Sequence, residues 1–143
     1  MARIEIELPE RIVFSVDIPI RVGDINYGGH LGNDAVLSIA QEARARFYAA
    51  HGFSELDVEG LGSAMVNAVV VYGAEGQYGM VLRVEIGAAG VRSREVDLVY
   101  LMVDAASGKE VARVKTGIIC VDPASGRIVR LPARFRRMLA PAE

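Results

Sequence analysis

The sequence predicts an α+β domain in which one long helix is wrapped by an antiparallel sheet of five or six strands. Three observations carry that prediction. Residues 34–51 place their apolar side chains at helical spacing. Other stretches alternate apolar and polar residues with period two, or run apolar for the length of a strand. Short turns rich in Gly, Pro, Asp and Ser separate the later strands, closely enough to make them antiparallel neighbours. The chain of 143 residues suits a single domain, 1–143, with its own core.

In chain order, Ile12, Phe14, Val16, Ile18, Ile20 and Val22 alternate with Val13, Ser15, Asp17, Pro19 and Arg21, the period of a strand with one buried face. Pro19 lacks the NH of a central strand, which puts this one at an edge or a bulge. Gly23-Asp-Ile-Asn-Tyr-Gly-Gly-His-Leu-Gly32 holds four glycines and reads as a loop of close backbone approaches. The period then changes. Val36, Ile39, Ala40, Ala43, Phe47 and Ala50 share one stripe of a helix about 27 Å long. Asn33 is its expected N-cap and His51-Gly52 its stop. After an acidic, glycine-rich loop from Ser54 to Gly62, strands are expected over Ala64–Ala74, Met80–Ile86, Arg94–Asp104 and Glu110–Val121. Gly76-Gln-Tyr-Gly79, Ala106-Ser-Gly-Lys109 and Asp122-Pro-Ala-Ser-Gly126 read as the turns, and Arg127 to Glu143 as a short strand followed by a basic segment. One helix cannot cover such a sheet. Apolar runs such as Ala68-Val-Val-Val-Tyr72 therefore predict pairing with further copies of the chain, as a homodimer or homotetramer, or else a large ligand groove.

Composition narrows the function. With 52% hydrophobic and 24% charged residues, the chain buries much of its apolar surface and is not intrinsically disordered. Sixteen basic against 18 acidic side chains leave a net charge of -2, which gives no overall attraction for nucleic acid or anionic lipid. The single cysteine, Cys120, forms no internal disulfide and reads as a small buried hydrophobe, which fits a reducing cytoplasm. The two histidines and this cysteine supply no metal-site spacing, so no metal is expected. The N-terminus alternates charged with apolar residues and has no apolar signal region, and no stretch approaches the roughly 20 apolar residues of a membrane span. Dinucleotide, Walker and serine-hydrolase motifs are missing, since Gly60-Leu-Gly-Ser-Ala-Met65 lacks a third glycine and no Gly-x-Ser-x-Gly occurs.

The residues with chemistry to offer concentrate in the glycine loop. Asp24 opens it after an apolar strand, and His30 closes it before the helix. Asp24 and Asn26 could simply bond loop NH groups while His30 fills a polar cavity. Alternatively, a carboxylate held near a helix N-terminus, whose free NH groups stabilise a developing oxyanion, is an acyl-transfer arrangement.

Val22-Gly-Asp-Ile-Asn-Tyr-Gly-Gly-His-Leu-Gly-Asn-Asp34, followed in the helix by Gln41-Glu-Ala-Arg44, resembles the active-site loop and central helix of hot-dog-fold acyl-CoA thioesterases, nearest the 4-hydroxybenzoyl-CoA thioesterase-like group. The order of elements agrees over nearly the whole chain. The resemblance implies a hot-dog fold, hydrolysis of an acyl-CoA to free acid and coenzyme A, and no cofactor beyond the coenzyme A of the substrate. It makes Asp24 the catalytic carboxylate, as nucleophile or as base for water, and the Leu31 backbone NH the oxyanion donor. Asn26, Tyr27, His30, Asn33, Glu42, Arg92 and Arg94 are the expected substrate contacts, with His30 shaping the pocket. Two departures bear on substrate choice. Asn26 stands where many members have a second Asp, and Gly32-Asn33 replaces a pair of larger polar residues.

Several residues keep two readings. Glu42 is either a second catalytic carboxylate or half of an ordinary pair with Arg46 four residues on. Arg127, Arg130, Arg134, Arg136 and Arg137 are either a solvated tail or holders of coenzyme A phosphates, with Arg92 and Arg94 as rivals for that role. Met65, Met80 and Met102 pack the core or line an acyl tunnel. At the level of function, an enoyl-CoA hydratase of the same fold would also use an Asp and a His near the helix, although the Asn-Pro of that motif is missing. A noncatalytic acyl-CoA-binding module is the reading from another class.

Overall fold

The computed structural model describes residues 3–140. Its elements follow in the order β1 (Phe14–Pro19), a single 3-10 turn (Val22–Asp24), α1 (Asn33–Ala50), β2 (Gly62–Tyr72), β3 (Val81–Ala89), β4 (Val96–Asp104), β5 (Glu110–Val121), β6 (Ile128–Val129) and α2 (Ala133–Leu139). The strands form one antiparallel sheet of six in the order β1-β3-β4-β5-β2, and β6 continues the β4 side of β5 beyond Val96.

Register explains how the core closes. Phe14, Val16 and Ile18 of β1 face Ile86, Val84 and Leu82 of β3. Val84 and Ile86 face Met102 and Tyr100 of β4, which in turn face Ala112 and Val114 of β5. The apolar stripes of four strands thus coincide on one side, where slipping any strand by one residue would turn its stripe to water. The helix α1 lies on that side. Its small residues Ala40 and Ala43 are fully buried and let its backbone approach the sheet, while Phe47 stacks on Phe14 with ring centroids 5.2 Å apart. Burying a side chain such as Phe47 contributes about 1.5–3 kcal/mol.

On the opposite side of the sheet, the N-terminal arm crosses as a strap. Ile6 is buried there, and the Arg113 guanidinium donates to the Ile6 carbonyl at 2.8 Å. Gly87 has to be glycine beneath it, because a Cβ would lie 2.6 Å from the Arg11 carbonyl oxygen and closer still to Pro9.

Several expectations are corrected. The first strand ends at Pro19, and the chain then tightens into the 3-10 turn, so Val22 points to solvent instead of continuing the buried stripe. Helix α1 begins at Asn33 with Gly32 as its N-cap and no side-chain cap, so Asn33 is the first helical residue and not the cap. Strands β2, β3 and β4 shift by one to three residues from the expected limits, while β5 matches. The basic segment near the C-terminus contains a helix, α2, because Phe135, Met138 and Leu139 fall on one face and bury against Tyr48 and Phe53. Its arginines point outward, with Arg134 stacked 4.9 Å over the Phe53 ring.

Within the core lies a buried cation that the hydropathy pattern does not announce. Arg44 is 5% exposed, and its Nε donates to Glu55 Oε1 at 2.6 Å while Nη1 donates to the Tyr100 hydroxyl at 3.0 Å. Tyr100 shares a further hydrogen bond of 2.9 Å with Thr116. Burial alone would lower the Arg44 pKa, but Tyr100 and Glu55 outweigh it and hold the guanidinium charged, above its ordinary value. The hydroxyls of Tyr48 and Tyr100 are pushed upward by burial, so both stay protonated.

Candidate active site

The glycine loop is a tight reversal between β1 and α1. The Gly32 NH donates to the Asp24 carbonyl at 2.9 Å and the Asn26 NH to the His30 carbonyl at 2.8 Å, while Ile25 and Leu31 form an isolated bridge. Asn26 shapes the bend, since its Oδ1 accepts the NH groups of Gly28 at 2.9 Å and His30 at 3.3 Å. Gly29 lies at φ 84°, the left-handed region that a side chain resists. The turn chemistry expected of Asn26 is therefore present, and it leaves the Asp24 side chain free of loop duty except at one point.

That point is local. Asp24 is 6% exposed, and its Oδ2 accepts the Arg21 backbone NH at 2.8 Å, while Oδ1 lies 3.5 Å from the Arg21 guanidinium. Its carboxylate lines a cleft of about 140 Å³ between the end of β1 and the outer flank of α1, shared with Ile18, Arg21, Ser38, Ile39, Glu42 and Arg46. Both readings of Glu42 are represented. It pairs with Arg46 at 3.1 Å, and it faces the same cleft as Asp24.

His30 belongs to a second cleft, of about 150 Å³, on the other side of the α1 N-terminus. Asn26, Leu31 and Asn33 line it together with the stretch from Tyr72 to Gly76. There His30 Nε2 meets Glu75 Oε2 at 2.9 Å, and the Tyr72 hydroxyl donates to the Asn33 carbonyl at 3.0 Å. Glu75 and Tyr72 line this cleft, and the sequence reading did not single them out. Their signal lay in Gly73, which lets this connection run close to β5, and in Gly76, which lets it run close to Leu31 of the loop.

Four expected site residues are placed differently. The Leu31 NH is not free, since it donates to the Gly76 carbonyl at 2.8 Å. Tyr27 is fully exposed at the tip of the loop and lines neither cleft. Arg92 and Arg94 sit on the hairpin after β3, whereas Asp24 follows Pro19, which pairs with the first residue of that strand. The length of β3, about 30 Å, therefore separates them from Asp24 within one chain. Arg92 is held by Glu95 at 3.1 Å and Asp97 at 3.8 Å, and its carbonyl accepts Arg136 at 2.9 Å.

The arginine-rich helix α2 lies at that same far end, beside larger grooves of about 840 and 240 Å³ that Arg137, His51 and Met138 line. No carboxylate lines either groove. Cys120 is buried, and burial pushes its thiol up to about 11, which makes it a poor nucleophile. Met102 is fully buried, as a core residue, while Met65 is exposed on β2. Among the described residues no group of three or more His, Cys, Asp or Glu side chains could hold a metal ion, and no helix is long and apolar enough to cross a membrane.

No curated protein sequence matches the chain significantly. Among solved structures, the chain is similar to Slr0204, a 1,4-dihydroxy-2-naphthoyl-CoA thioesterase from Synechocystis, with a TM-score of 0.80 at 18% identity over 88% of this chain and 94% of that one. It is also similar to the gentisyl-coenzyme A thioesterase BH1999, with a TM-score of 0.77 at 14% identity over 89% of this chain and 100% of that one. A third similar structure is a DHNA-CoA thioesterase from Staphylococcus aureus, with a TM-score of 0.73 at 19% identity over 82% of this chain and 79% of that one. At these identities the likeness establishes the fold, a long helix against an antiparallel sheet. The model of the thioesterase-like superfamily matches residues 20–139, from the end of β1 through α2. With that match and that fold, the chain belongs to the thioesterase-like superfamily of thioester hydrolases with the hot-dog fold.

Proposed function

We propose that this chain hydrolyses an acyl-CoA thioester to free acid and coenzyme A, with Asp24 as the catalytic carboxylate. The observation that carries this reading is the Asp24 carboxylate itself, buried to 6% exposure yet lining a cleft along the flank of α1 from Ser38 to Arg46. The carboxylate is anchored at Oδ2, and Oδ1, which meets only the exposed Arg21 guanidinium at 3.5 Å, is the oxygen to attack the thioester carbonyl carbon or to take a proton from an attacking water. Either path puts negative charge on the carbonyl oxygen. The first-turn NH groups of α1, which lack helical acceptors, and the positive end of its dipole favour that charge. Collapse of the tetrahedral species then expels the coenzyme A thiolate, which takes a proton. No cofactor takes part in these steps, and coenzyme A enters as part of the substrate.

The similar structures named for aryl-CoA thioesters support a coenzyme A substrate. Cationic groups for its phosphates are available in Arg92, Arg94 and the outward arginines of α2, at the far end of the same chain. A homodimer reconciles the two locations. The edge strand β2 contains no buried residue, and two copies joined there antiparallel would carry the hairpin of one protomer toward the Asp24 end of the other. A reduced, buried Cys120 suits a cytoplasmic setting.

The hydratase reading requires Asp24 and His30 to act on the same carbon and water. Here Asp24 is bonded to Arg21 in one cleft and His30 to Glu75 in another, which favours the hydrolase. The test is a thiol-release assay of the purified protein on short, long, branched and aromatic acyl-CoAs, with hydration of an enoyl-CoA followed in parallel. Release of thiol from a saturated acyl-CoA is the expected result. Hydration of the enoyl-CoA with no thiol release overturns the proposal, and binding without turnover leaves the noncatalytic module as the answer.

A further inference from the structure

Three segments meet at the end of the molecule away from Asp24: residues 11–13 of the N-terminal arm, the end of α1 at His51, and helix α2. Each is fixed by contacts of its own. The Val13 NH donates to the Ile86 carbonyl at 2.8 Å, and Phe135 of α2 packs edge-on against Tyr48 of α1 with ring centroids 5.7 Å apart. Between the three segments runs the groove of about 840 Å³, and the groove of about 240 Å³ continues it to Phe53 and Arg134, with His51, Arg137 and Met138 common to both. The lining divides by chemistry. Met138 and Phe53 are buried and, with Ile12 and Val13, supply apolar surface, while Arg11, Arg134, Arg137 and His51 are exposed around it.

The fold does not balance the charge of this rim. Arg21, Arg44, Arg46, Arg83, Arg92 and Arg113 each pair with a carboxylate, whereas Arg11, Arg134 and Arg137 pair with none among the described residues. Glu7 and Glu10 line a separate cleft beside it. The carbonyls at the end of α1, which would repel an anion, are already occupied: that of Tyr48 accepts the NH groups of His51 and Phe53 at 3.0 and 2.9 Å, and that of Ala49 accepts the Gly52 NH at 3.1 Å. We propose that this groove binds a free carboxylic acid, with the carboxylate between Arg11 and Arg137 and the apolar body against Met138 and Phe53. A guanidinium meets a carboxylate through paired NH donors, and the apolar body gains by leaving water. The larger groove falls within the range of small-molecule sites, about 300–1,000 Å³. The choice of a carboxylic acid rests on the hydrolase reading, since cleavage of a thioester by water releases one. Asp24 lies at the other end of β3, so an acid held here leaves the catalytic cleft open.

The test is calorimetric titration of the whole protein with hexanoate, octanoate and decanoate, and with octanol as the uncharged control. Amide chemical shifts recorded alongside locate the ligand. Affinity should rise about two- to fourfold for each added methylene, and octanoate should shift the amides of Val13, His51, Phe53 and Met138. Replacing both exposed cations, Arg11→Gln with Arg137→Gln, should weaken octanoate binding about tenfold and leave octanol binding as it was. Octanoate that binds the double variant as tightly as the wild type overturns the site, and so do shifts confined to Ser38 and Glu42 of the Asp24 cleft. Displacement of octanoate from the groove by coenzyme A also overturns it, because the arginines then serve the phosphates of the substrate. Thiol release separates this proposal from the function it rests on. A protein that binds octanoate here but releases no thiol loses the proposed hydrolysis, whereas one that releases thiol and binds no acid here loses only the groove.

Discussion

Asp24 shows how a single residue acquires a role from its neighbours. Its identity and place in the glycine loop are sequence properties, but the anchoring of one oxygen by the Arg21 NH and the opening of the side chain toward α1 come from the 3-10 turn. Asp24→Asn keeps the shape and removes the charge, so thiol release should fall about 100-fold or more while circular dichroism stays unchanged. His30→Ala should retain measurable hydrolysis, with a larger change in KM than in kcat, because the imidazole meets Glu75 and not Asp24. Steady-state kinetics on one good substrate checks both. Cys120 makes the opposite point. Its thiol is buried and pushed up to about 11, so at pH 8 it should resist a thiol reagent in the native protein and react once the chain is unfolded.

At the scale of elements, α1 is tied to the loop before β2 by the Arg44 and Glu55 pair, and to the sheet through Tyr100 and Thr116. Removing Glu55 leaves the Arg44 cation buried without its carboxylate, whereas replacing Arg44 by Met leaves the Glu55 carboxylate, which water can reach. Glu55→Ala should therefore destabilise the fold by about 3 kcal/mol or somewhat less, since Glu55 is one-third exposed, and more than Arg44→Met does. Urea unfolding of the two variants decides the order. The two hairpin turns after β4 and β5 repeat one device. Asp104 accepts the Ser107 hydroxyl and the Ala106 NH at 2.8 and 3.0 Å, and Asp122 accepts the Ser125 hydroxyl and the Ala124 NH at 2.9 and 3.1 Å. These hydrogen bonds hold both carboxyls below their ordinary value of 3.8. A lowered folded pKa means that the carboxylate's contribution is complete above that ordinary value and is lost as the pH falls through the lowered one. Acid titration followed at the Ala106 and Ala124 amides should show both turns releasing below pH 3.8.

For the whole molecule, the sheet is closed on one side by α1, partly covered on the other by the N-terminal arm, and open along β2. Met65, Val66 and Tyr72 are exposed there, on a strand whose outer edge has no partner among the described residues. Light scattering at micromolar concentration should find a homodimer or homotetramer, since an obligate interface of this kind commonly buries about 2,000 Å² or more. A stable monomer would remove both the proposed pairing at β2 and the route that brings Arg92 and Arg94 near a catalytic loop.

The sequence by itself determined the α+β class, the long helix, the antiparallel strands and the loop that carries Asp24, because periods of 3.6 and two and the glycine clusters are written in local order. It also carried the loop motif through Asp24, Asn26 and Gly29-His30, which is contiguous and needs no folding to be read. Contacts between distant segments were decided only by the tertiary structure. Arg44 lies on the same face of α1 as the apolar stripe, yet nothing local says that Glu55 and Tyr100 will meet it. Helix α2 hides behind its arginines, since three apolar residues outweigh them only when Tyr48 and Phe53 are there to be covered. The Leu31 NH looks free in a linear reading, because the acceptor that takes it belongs to Gly76, 45 residues further on, and only the closed sheet brings that carbonyl to 2.8 Å.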